Sequence, residues 1–142
     1  MKRVILTLLM CLVLCGNAQA HEYSNIKISD SEMQELREVV AAESQDQCLE
    51  GQEAVVEVIL NRVLSDEFPD TVHEVLSERG QFASWRLRKA DWVEPEEADE
   101  AIMKVLTYGN IVLPDTSYVF FDTRGRNGKA HVKIESHYFG RR

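Results

Sequence analysis

The chain has 142 residues, of which 44% are hydrophobic and 28% charged, and it carries 16 basic against 24 acidic side chains. This balance is typical of one compact globular domain and excludes disordered, collagen-like and low-complexity chains. The formal net charge of −8 argues against a dedicated nucleic-acid binder, which normally has a basic excess.

Residues 1–20 have the three parts of a secretory signal peptide. Two basic residues form a positive start, residues 4–14 form an apolar run, and Ala18-Gln19-Ala20 offers a small-x-small cleavage site. The apolar run is too short for a comfortable membrane span. We therefore predict export with cleavage after Ala20. The alternatives are an uncleaved N-terminal anchor and a lipoprotein modified at Cys15.

The predicted mature domain, residues 21–142, has 14 basic and 24 acidic side chains and a net charge of −10. Cys48 is its only cysteine, so an internal disulfide is excluded. Its stability must come from a hydrophobic core, which a chain of this length can build. The mature sequence has no second long apolar run, and we expect a secreted or cell-envelope monomer without an integral membrane segment.

Four helices are predicted from apolar residues at helical spacing. Ser29 and Glu32 fit a capping box at the start of the first helix, and Pro69 suits the first turn of the third. Glycines mark the expected ends of the third and fourth helices. The expected bounds are Ser29 to Glu43, Gly51 to Leu64, Pro69 to Gly80 and Pro95 to Gly109.

The β-prone residues lie near the C-terminus. Tyr118 to Phe121 and Ala130 to Ile134 are rich in aromatic and aliphatic residues, and the segment between them, Arg124 to Gly128, holds two glycines and an asparagine. This pattern predicts a β-hairpin with a long loop. The expected fold class is therefore α+β, a mostly helical single domain with a small C-terminal β-hairpin.

Glu43 interrupts the apolar pattern of the first helix. It lies three residues after Val40 and seven after Leu36, so it continues the buried stripe of that helix. A carboxylic acid on an apolar stripe loses hydration, which favours the protonated form that a general acid needs. The alternative is that the helix ends before Glu43 and leaves the carboxylate in water.

Glu43 also stands near the head of an ordered series of motifs. The first motifs are Ala42-Glu43, Gly51-Gln52, Ala54-Val55 and Ile59-Leu60-Asn61-Arg62-Val63. Further along are Phe68-Pro69, Gly80-Gln81-Phe82, Tyr118-Val119-Phe120-Phe121 and Ile134-x-x-His137-x-Phe139. In this order the motifs resemble the SleB/CwlJ-type cell wall hydrolases, the family of spore cortex-lytic enzymes, over about residues 36–139.

The resemblance implies a lysozyme-like fold and the chemistry of a lytic transglycosylase. Glu43 falls on the family's catalytic glutamate, which would act as the single general acid/base on the β-1,4 bond between N-acetylmuramic acid and N-acetylglucosamine. The resemblance implies no metal and no cofactor. One departure follows Glu43 in the chain: family members commonly have Glu-Ala-x-Gly-Glu, whereas Asp46 and Gln47 stand at the last two positions here. Gln47 keeps hydrogen bonding but cannot ionise.

Other residues on or near these motifs are candidates for binding the glycan or for supporting the site. The substrate-binding candidates are Gln47, Gln52, Gln81, Phe82, Trp85, Tyr118 and His137. Asn61 and Arg62 are expected to form a buried network that holds the active-site loop. Packing in the core is the alternative for Phe82, Trp85 and Trp92. For His137 the preferred interpretation is a structural hydrogen bond near the cleft.

Two other functions stay open. A non-catalytic homologue could keep the glycan groove without turnover, as Asp46 and Gln47 suggest. An amidase or peptidase could use Cys48 as a nucleophile with His137, although the sequence has no flanking motif for it. The sequence also leaves open whether the substrate is spore cortex or vegetative wall, and whether the product is an anhydro sugar or a hydrolysed one.

The charge is unevenly distributed along the mature chain. Residues 79–92 sum to +3 and residues 118–142 to +4, against −10 for the mature chain as a whole. Because the stem peptides of peptidoglycan carry carboxylates, these basic segments suit it electrostatically. Arg86, Arg88 and the Arg124–Lys129 loop are therefore predicted to flank the glycan groove.

Overall fold

The computed structural model describes residues 23–87 and 96–142. Its elements are α1 (Asp30–Glu43), α2 (Leu49–Leu64), α3 (Val72–Ser77), α4 (Ala83–Leu87), α5 (Glu96–Leu106), β1 (Tyr118–Asp122), β2 (Lys129–Ile134) and β3 (His137–Arg141). The predicted α+β class is confirmed, since helices precede a small antiparallel sheet. The predicted signal peptide, Arg88, Trp92 and Pro95 lie outside the described residues. Within the described part, no helix is both long enough and apolar enough to cross a membrane.

The central element is α2, which packs against α1, α3, α5 and β1. Every residue from 51 to 62 is buried, as expected of a helix that is apolar on most of its surface. Its core side chains include Val55, Ile59 and Leu60, and β3 contributes Phe139 to the same core. The sequence therefore places a fully enclosed helix directly after the Glu43 loop.

The capping box at the start of α1 is confirmed. The Ser29 Oγ atom accepts a hydrogen bond from the Glu32 backbone N–H at 3.3 Å, and Glu32 Oε2 accepts one from the Ser29 N–H at 2.9 Å. This satisfies two donors that a helix start leaves free. The helix continues to Glu43 as predicted, and its buried stripe contains Leu36, Val39 and Val40.

The second helix begins two residues earlier than predicted, at Leu49, and the larger differences concern the third helix and α4. The third helix begins at Val72 and not at Pro69, because the hydroxyl of Thr71 caps it by accepting the Glu74 N–H at 3.2 Å. Gly80 lies two residues beyond the C-cap and has a φ of +82°, which suits a glycine turn. The other difference is the short α4, which places Trp85 in a helix where an irregular segment was expected.

The strand pairing also differs from the prediction. The sheet order is β1-β3-β2, so the two predicted strands both pair with β3 and not with each other. A two-residue turn, Glu135-Ser136, joins β2 to β3, and such a short loop favours their pairing over that of strands separated by a longer one. Because β1 and β2 are each antiparallel to β3, they run parallel and their connection must cross β3.

Candidate active site

Glu43 is the last residue of α1, and its carboxylate is held by one neighbour. Glu43 Oε1 accepts hydrogen bonds from the Ser84 hydroxyl and from the Ser84 N–H, the latter at 3.4 Å. Ser84 is buried on α4, whereas Glu43 is half-buried. Among the described residues, no hydrogen bond reaches Glu43 Oε2. One oxygen is therefore fixed, and the other remains available for proton transfer.

His137 opens β3 beside the carboxylates of this site. Its ring lies 5.5 Å from that of Phe121, centroid to centroid, and the residue is only 6% exposed. Burial lowers its pKa below the ordinary value, and the nearby carboxylates of Asp46, Glu43 and Asp122 offset part of that shift. The ring is therefore neutral at pH 7. Its Nδ1 atom is buried without a hydrogen-bond partner.

Two hydrogen bonds tie the loop after Glu43 to the β2–β3 turn. Gln47 Nε2 donates to Ser136 Oγ at 2.6 Å, and the Cys48 N–H donates to Glu135 Oε2 at 2.7 Å. We call this pair of contacts the latch. Gln47 also donates to Asp46 Oδ1 at 3.1 Å, and this bond lowers the pKa of Asp46. The latch fixes the end of α1 against the start of β3, which brings Glu43 and His137 to one side of the molecule.

Asn61 and Arg62 are buried near the C-terminal end of α2. Asn61 donates to the Tyr118 carbonyl at 2.9 Å, and Arg62 Nε donates to the Val119 carbonyl at 2.8 Å. Arg62 Nη1 also donates to Gln81 Oε1 at 3.1 Å, and burial lowers the pKa of Arg62 to about 10. These bonds fix both β1 and the segment that leads into α4. The network thus ties the end of α2 to β1 and to Gln81.

Besides Gln47 and His137, three other predicted substrate-binding side chains, those of Gln52, Phe82 and Tyr118, are buried. Gln52 donates to the Gln47 carbonyl at 3.3 Å, and Tyr118 donates its hydroxyl proton to the Ala130 carbonyl at 2.9 Å. Phe82 packs in the core, with its ring 6.2 Å from that of Phe121. Gln81 is exposed, apart from its contact with Arg62.

Trp85 borders an open pocket of about 520 Å³ that adjoins α4. The described lining residues are Ser77, Glu78, Arg79, Gly80, Phe82, Ala83 and Trp85. Trp85 is half-buried and makes an edge contact with His73 at 5.9 Å between centroids. Because Ser84 lies between two of the lining residues, the pocket adjoins the residue that holds Glu43. An aromatic wall of this kind suits the apolar face of a sugar ring.

Ser84, Ser136 and the acids of α2 were missed in the sequence analysis. Ser84 and Ser136 carry no local signal, because their partners lie 41 and 89 residues away. Glu53 and Glu57 did carry a local sequence signal, since two acids four residues apart interrupt an otherwise apolar helix. Both are buried, and Glu57 accepts hydrogen bonds from the N–H groups of Val112 and Leu113.

The structure does not join Cys48 to His137. Cys48 is exposed at the N-cap of α2, and no contact between its thiol and the His137 ring is present in the described part of the chain. Its backbone N–H instead takes part in the latch. A cysteine nucleophile needs a base within hydrogen-bond reach, so this geometry does not favour a cysteine-dependent amidase or peptidase.

Comparison with known proteins gives consistent matches. A curated spore cortex-lytic enzyme from Oceanobacillus iheyensis is 38% identical over 82 residues, which is 55% of this chain but only 28% of that protein. The chain therefore spans under a third of that relative. The catalytic domain of the germination-specific lytic transglycosylase SleB from Bacillus anthracis matches with a TM-score of 0.66 and 25% identity, over 80% of this chain and 96% of that one.

A second solved structure and a family model agree with these matches. The catalytic domain of the Bacillus cereus SleB protein matches with a TM-score of 0.67 and 26% identity, over 81% of this chain and 93% of that one. Residues 46–140 match the model of the family described as Cell Wall Hydrolase. That match begins just after Glu43 and covers about two thirds of the sequence, so the chain belongs to the cell wall hydrolase family and is of the SleB type.

Proposed function

We propose that this protein degrades peptidoglycan as a lytic transglycosylase, cleaving the β-1,4 bond between N-acetylmuramic acid and N-acetylglucosamine, with Glu43 as the single general acid/base. Family membership and the likeness to a SleB described as a lytic transglycosylase support the reaction class. The observation that carries the assignment to Glu43 is its carboxylate, half-buried at the end of α1 and bonded on one oxygen to Ser84.

The reaction needs one group that first gives and then takes a proton. Protonated Glu43 donates its proton to the glycosidic oxygen as the bond from C1 of the muramic acid residue to that oxygen breaks. The Glu43 carboxylate then removes the proton of the C6 hydroxyl, whose oxygen forms the new bond to C1. The product is a 1,6-anhydro sugar and no water is consumed. A hydrolase would instead be expected to use two carboxylates at a defined separation across the sugar.

The surroundings of Glu43 suit this cycle. Ser84 fixes the orientation of the carboxylate, which keeps the proton-bearing oxygen in one place through both steps. His137 is neutral at pH 7, so it does not hold Glu43 in the ionised form as a cation would. The predicted signal peptide would deliver the enzyme to the wall that forms its substrate.

The test is product analysis by mass spectrometry after incubation with purified peptidoglycan. The wild-type protein is expected to release anhydromuropeptides, and Glu43→Gln none, because the amide cannot transfer the proton. Glu50→Gln, at an exposed residue at the start of α2, is the matched control and is expected to keep full activity. Reducing-end muramic acid would show hydrolysis instead, and free stem peptides on intact glycan would refute a glycosidase.

A non-catalytic glycan-binding protein is the second candidate, and one observation favours it. Gln47 is buried in the latch as a neutral amide, where many family members would have an ionisable acid. Intact glycan that still binds the wild-type protein would support this candidate. Glu43→Gln would then leave both binding and product pattern unchanged.

A further inference from the structure

The C-terminal sheet has two chemically different faces. Val132, Ile134 and Phe139 point into the hydrophobic core, and His137 lies on the same side because it alternates with Tyr138 along β3. On the opposite side, the Lys133 ammonium lies 5.1 Å from the centre of the Tyr138 ring. We call this second side the outer face.

The connection between β1 and β2, residues 123–128, crosses β3 on the outer face. A Cβ atom on Gly140 would lie 2.5 Å from the Asn127 carbonyl oxygen, so only glycine lets the loop pass so closely. A Cβ atom on Gly125 would lie 3.2 Å from the Tyr138 ring. Near the C-terminal end of this connection, a 2.9 Å hydrogen bond joins Nε2 of His131 in β2 to the Asn127 carbonyl.

The crossing loop is organised from within. The Asp122 carboxylate accepts the backbone N–H groups of Arg126 and Asn127 at 3.0 and 2.8 Å, and also that of Arg124. These three N–H groups hold the loop in one conformation around a carboxylate that keeps its charge. The arginine side chains are left pointing into solvent.

The outer face is therefore positive on an acidic protein. Arg124 and Arg126 of the crossing loop and Lys133 of β2 are exposed, and none of them forms an ion pair within residues 23–87 and 96–142. They outnumber Asp122, the acid that pairs with Tyr138 on this face. We call these three cations the basic sheet face.

The basic sheet face does not share a side with the candidate catalytic residues. His137 and Tyr138 are consecutive in β3 and point to opposite faces of the sheet. The crossing loop thus passes over β3 on the face opposite His137, so we expect its arginines to lie outside the groove beside Glu43, in contrast to the prediction from the sequence. The side chain of Arg86 and all of Arg88 lie outside the described residues.

We propose that the basic sheet face is a second peptidoglycan-binding surface, which binds the stem-peptide carboxylates of a glycan strand other than the one at Glu43. The proposal rests on the proposed function for its substrate. Charge complementarity identifies the occupant, because an acidic protein must approach an anionic polymer through its cationic side. Arginine pairs in a fork with carboxylates, which suits Arg124 and Arg126. Two weak contacts with one insoluble polymer hold a protein more firmly than one.

The test measures binding to peptidoglycan in the Glu43→Gln background, so that turnover does not interfere. Arg126→Glu and Lys133→Glu are compared with Lys27→Glu, an exposed residue outside the sheet whose reversal changes net charge by the same amount. Each sheet variant is expected to weaken binding at low salt by about three- to five-fold, and the control by less than two-fold. Added salt should reduce the difference.

Three polymers identify the occupant. Walls stripped of phosphate polymers should bind the wild-type protein as well as untreated walls do. Glycan strands stripped of stem peptides should bind the wild-type protein and the sheet variants equally. Loss of binding after phosphate removal, or an equal loss in the Lys27→Glu control, would overturn the proposal. Cleavage of soluble muropeptide fragments is measured separately, with Glu43 intact, and should be unchanged by Arg126→Glu. If the wild-type protein does not cleave these fragments, only the proposed function is contradicted.

Discussion

Ser84 donates every hydrogen bond that Glu43 receives among the described residues. The hydroxyl makes the shorter of the two contacts, and a hydrogen bond to a carboxylate is worth about 1.5–3 kcal/mol. Without that hydroxyl, the carboxylate can rotate away from the geometry that proton transfer requires. Ser84 is thus a positioning residue for Glu43.

Ser84→Ala is expected to lower kcat about ten-fold on peptidoglycan while KM changes little, because only the orientation of Glu43 is affected. Turnover can be followed through release of soluble fragments. Ser31→Ala, an exposed serine at the start of α1, is the control for loss of a hydroxyl. Full activity of Ser84→Ala would show that the carboxylate is held by other means.

Gln47 is the residue at which this chain departs most clearly from the pattern of its family. Its amide nitrogen bonds to Asp46 and Ser136, and a carboxylate oxygen in that place would face the Asp46 carboxylate across about the same 3.1 Å. Two like charges at such a distance repel each other. The neutral side chain at position 47 and the acid at position 46 therefore depend on each other.

Gln47→Glu is accordingly expected to destabilise the protein by about 1–2 kcal/mol at pH 7, where both acids are charged. The loss should shrink at pH 4, since one of the two carboxylates can then take up a proton. Urea denaturation at the two pH values measures it. Gln45→Glu, an exposed neighbour, should show neither the loss nor its pH dependence.

At the scale of the elements, Glu57 joins α2 to the segment that precedes β1. Burial raises the pKa of Glu57 to about 7, and the charge of Glu53 acts in the same direction. The backbone N–H groups of Val112 and Leu113 favour the ionised form and offset part of the shift. A glutamate in the unfolded chain ionises near pH 4.5, so the folded protein holds an additional proton between pH 4.5 and 7.

This additional proton makes the stability of the folded protein depend on pH. Stability contributed by Glu57 is present below pH 4.5 and is lost as the pH rises to about 7, by at most about 3 kcal/mol. Glu57→Gln should remove this slope, although one amide oxygen cannot accept both N–H groups and overall stability should fall. Urea denaturation at pH 5 and 7 compares the variant with Glu50→Gln, which should keep the wild-type slope.

The elements also show which parts of the fold can be predicted from the sequence. The start of α1 could be predicted because Ser29 and Glu32 bond to each other across three residues. The start of α3 could not, since Pro69 and Thr71 are both good helix starts and only the hydroxyl bond of Thr71 decides between them. β3 was missed because its strand character lies in pairing with both β1 and β2, which is a property of the folded chain.

The residues of the candidate site also divide into those that could be predicted from the sequence and those that could not. Glu43 could be singled out because it breaks an apolar stripe within one helix, and the family resemblance added its role. Ser84 and the latch could not, because they depend on contacts between segments more than 40 residues apart. Phe82 and Tyr118 were assigned to the glycan because they stand on motifs of the family, but both are buried in the core, and of the two only Phe82 also lines the pocket beside Trp85.

At the scale of the whole molecule, the described chain begins with a residue of the core. Tyr23 is 1% exposed, belongs to the hydrophobic core and donates its hydroxyl proton to Asn61 Oδ1 at 2.5 Å. Asn61 in turn holds β1 through the Tyr118 carbonyl. Tyr23, the third residue after the predicted cleavage site, therefore supports the fold that positions Glu43, and cleavage beyond it would remove that support.

We predict that the exported protein begins at His21, which N-terminal analysis of secreted material can check. A chain that begins at Ile26 should be less stable than one that begins at His21 by about 3 kcal/mol, because it loses a buried aromatic ring. Tyr23→Phe keeps the ring and should lose only about 1 kcal/mol with the hydroxyl bond to Asn61. Equal denaturation midpoints for the chains starting at His21 and Ile26 would show that the core closes without Tyr23.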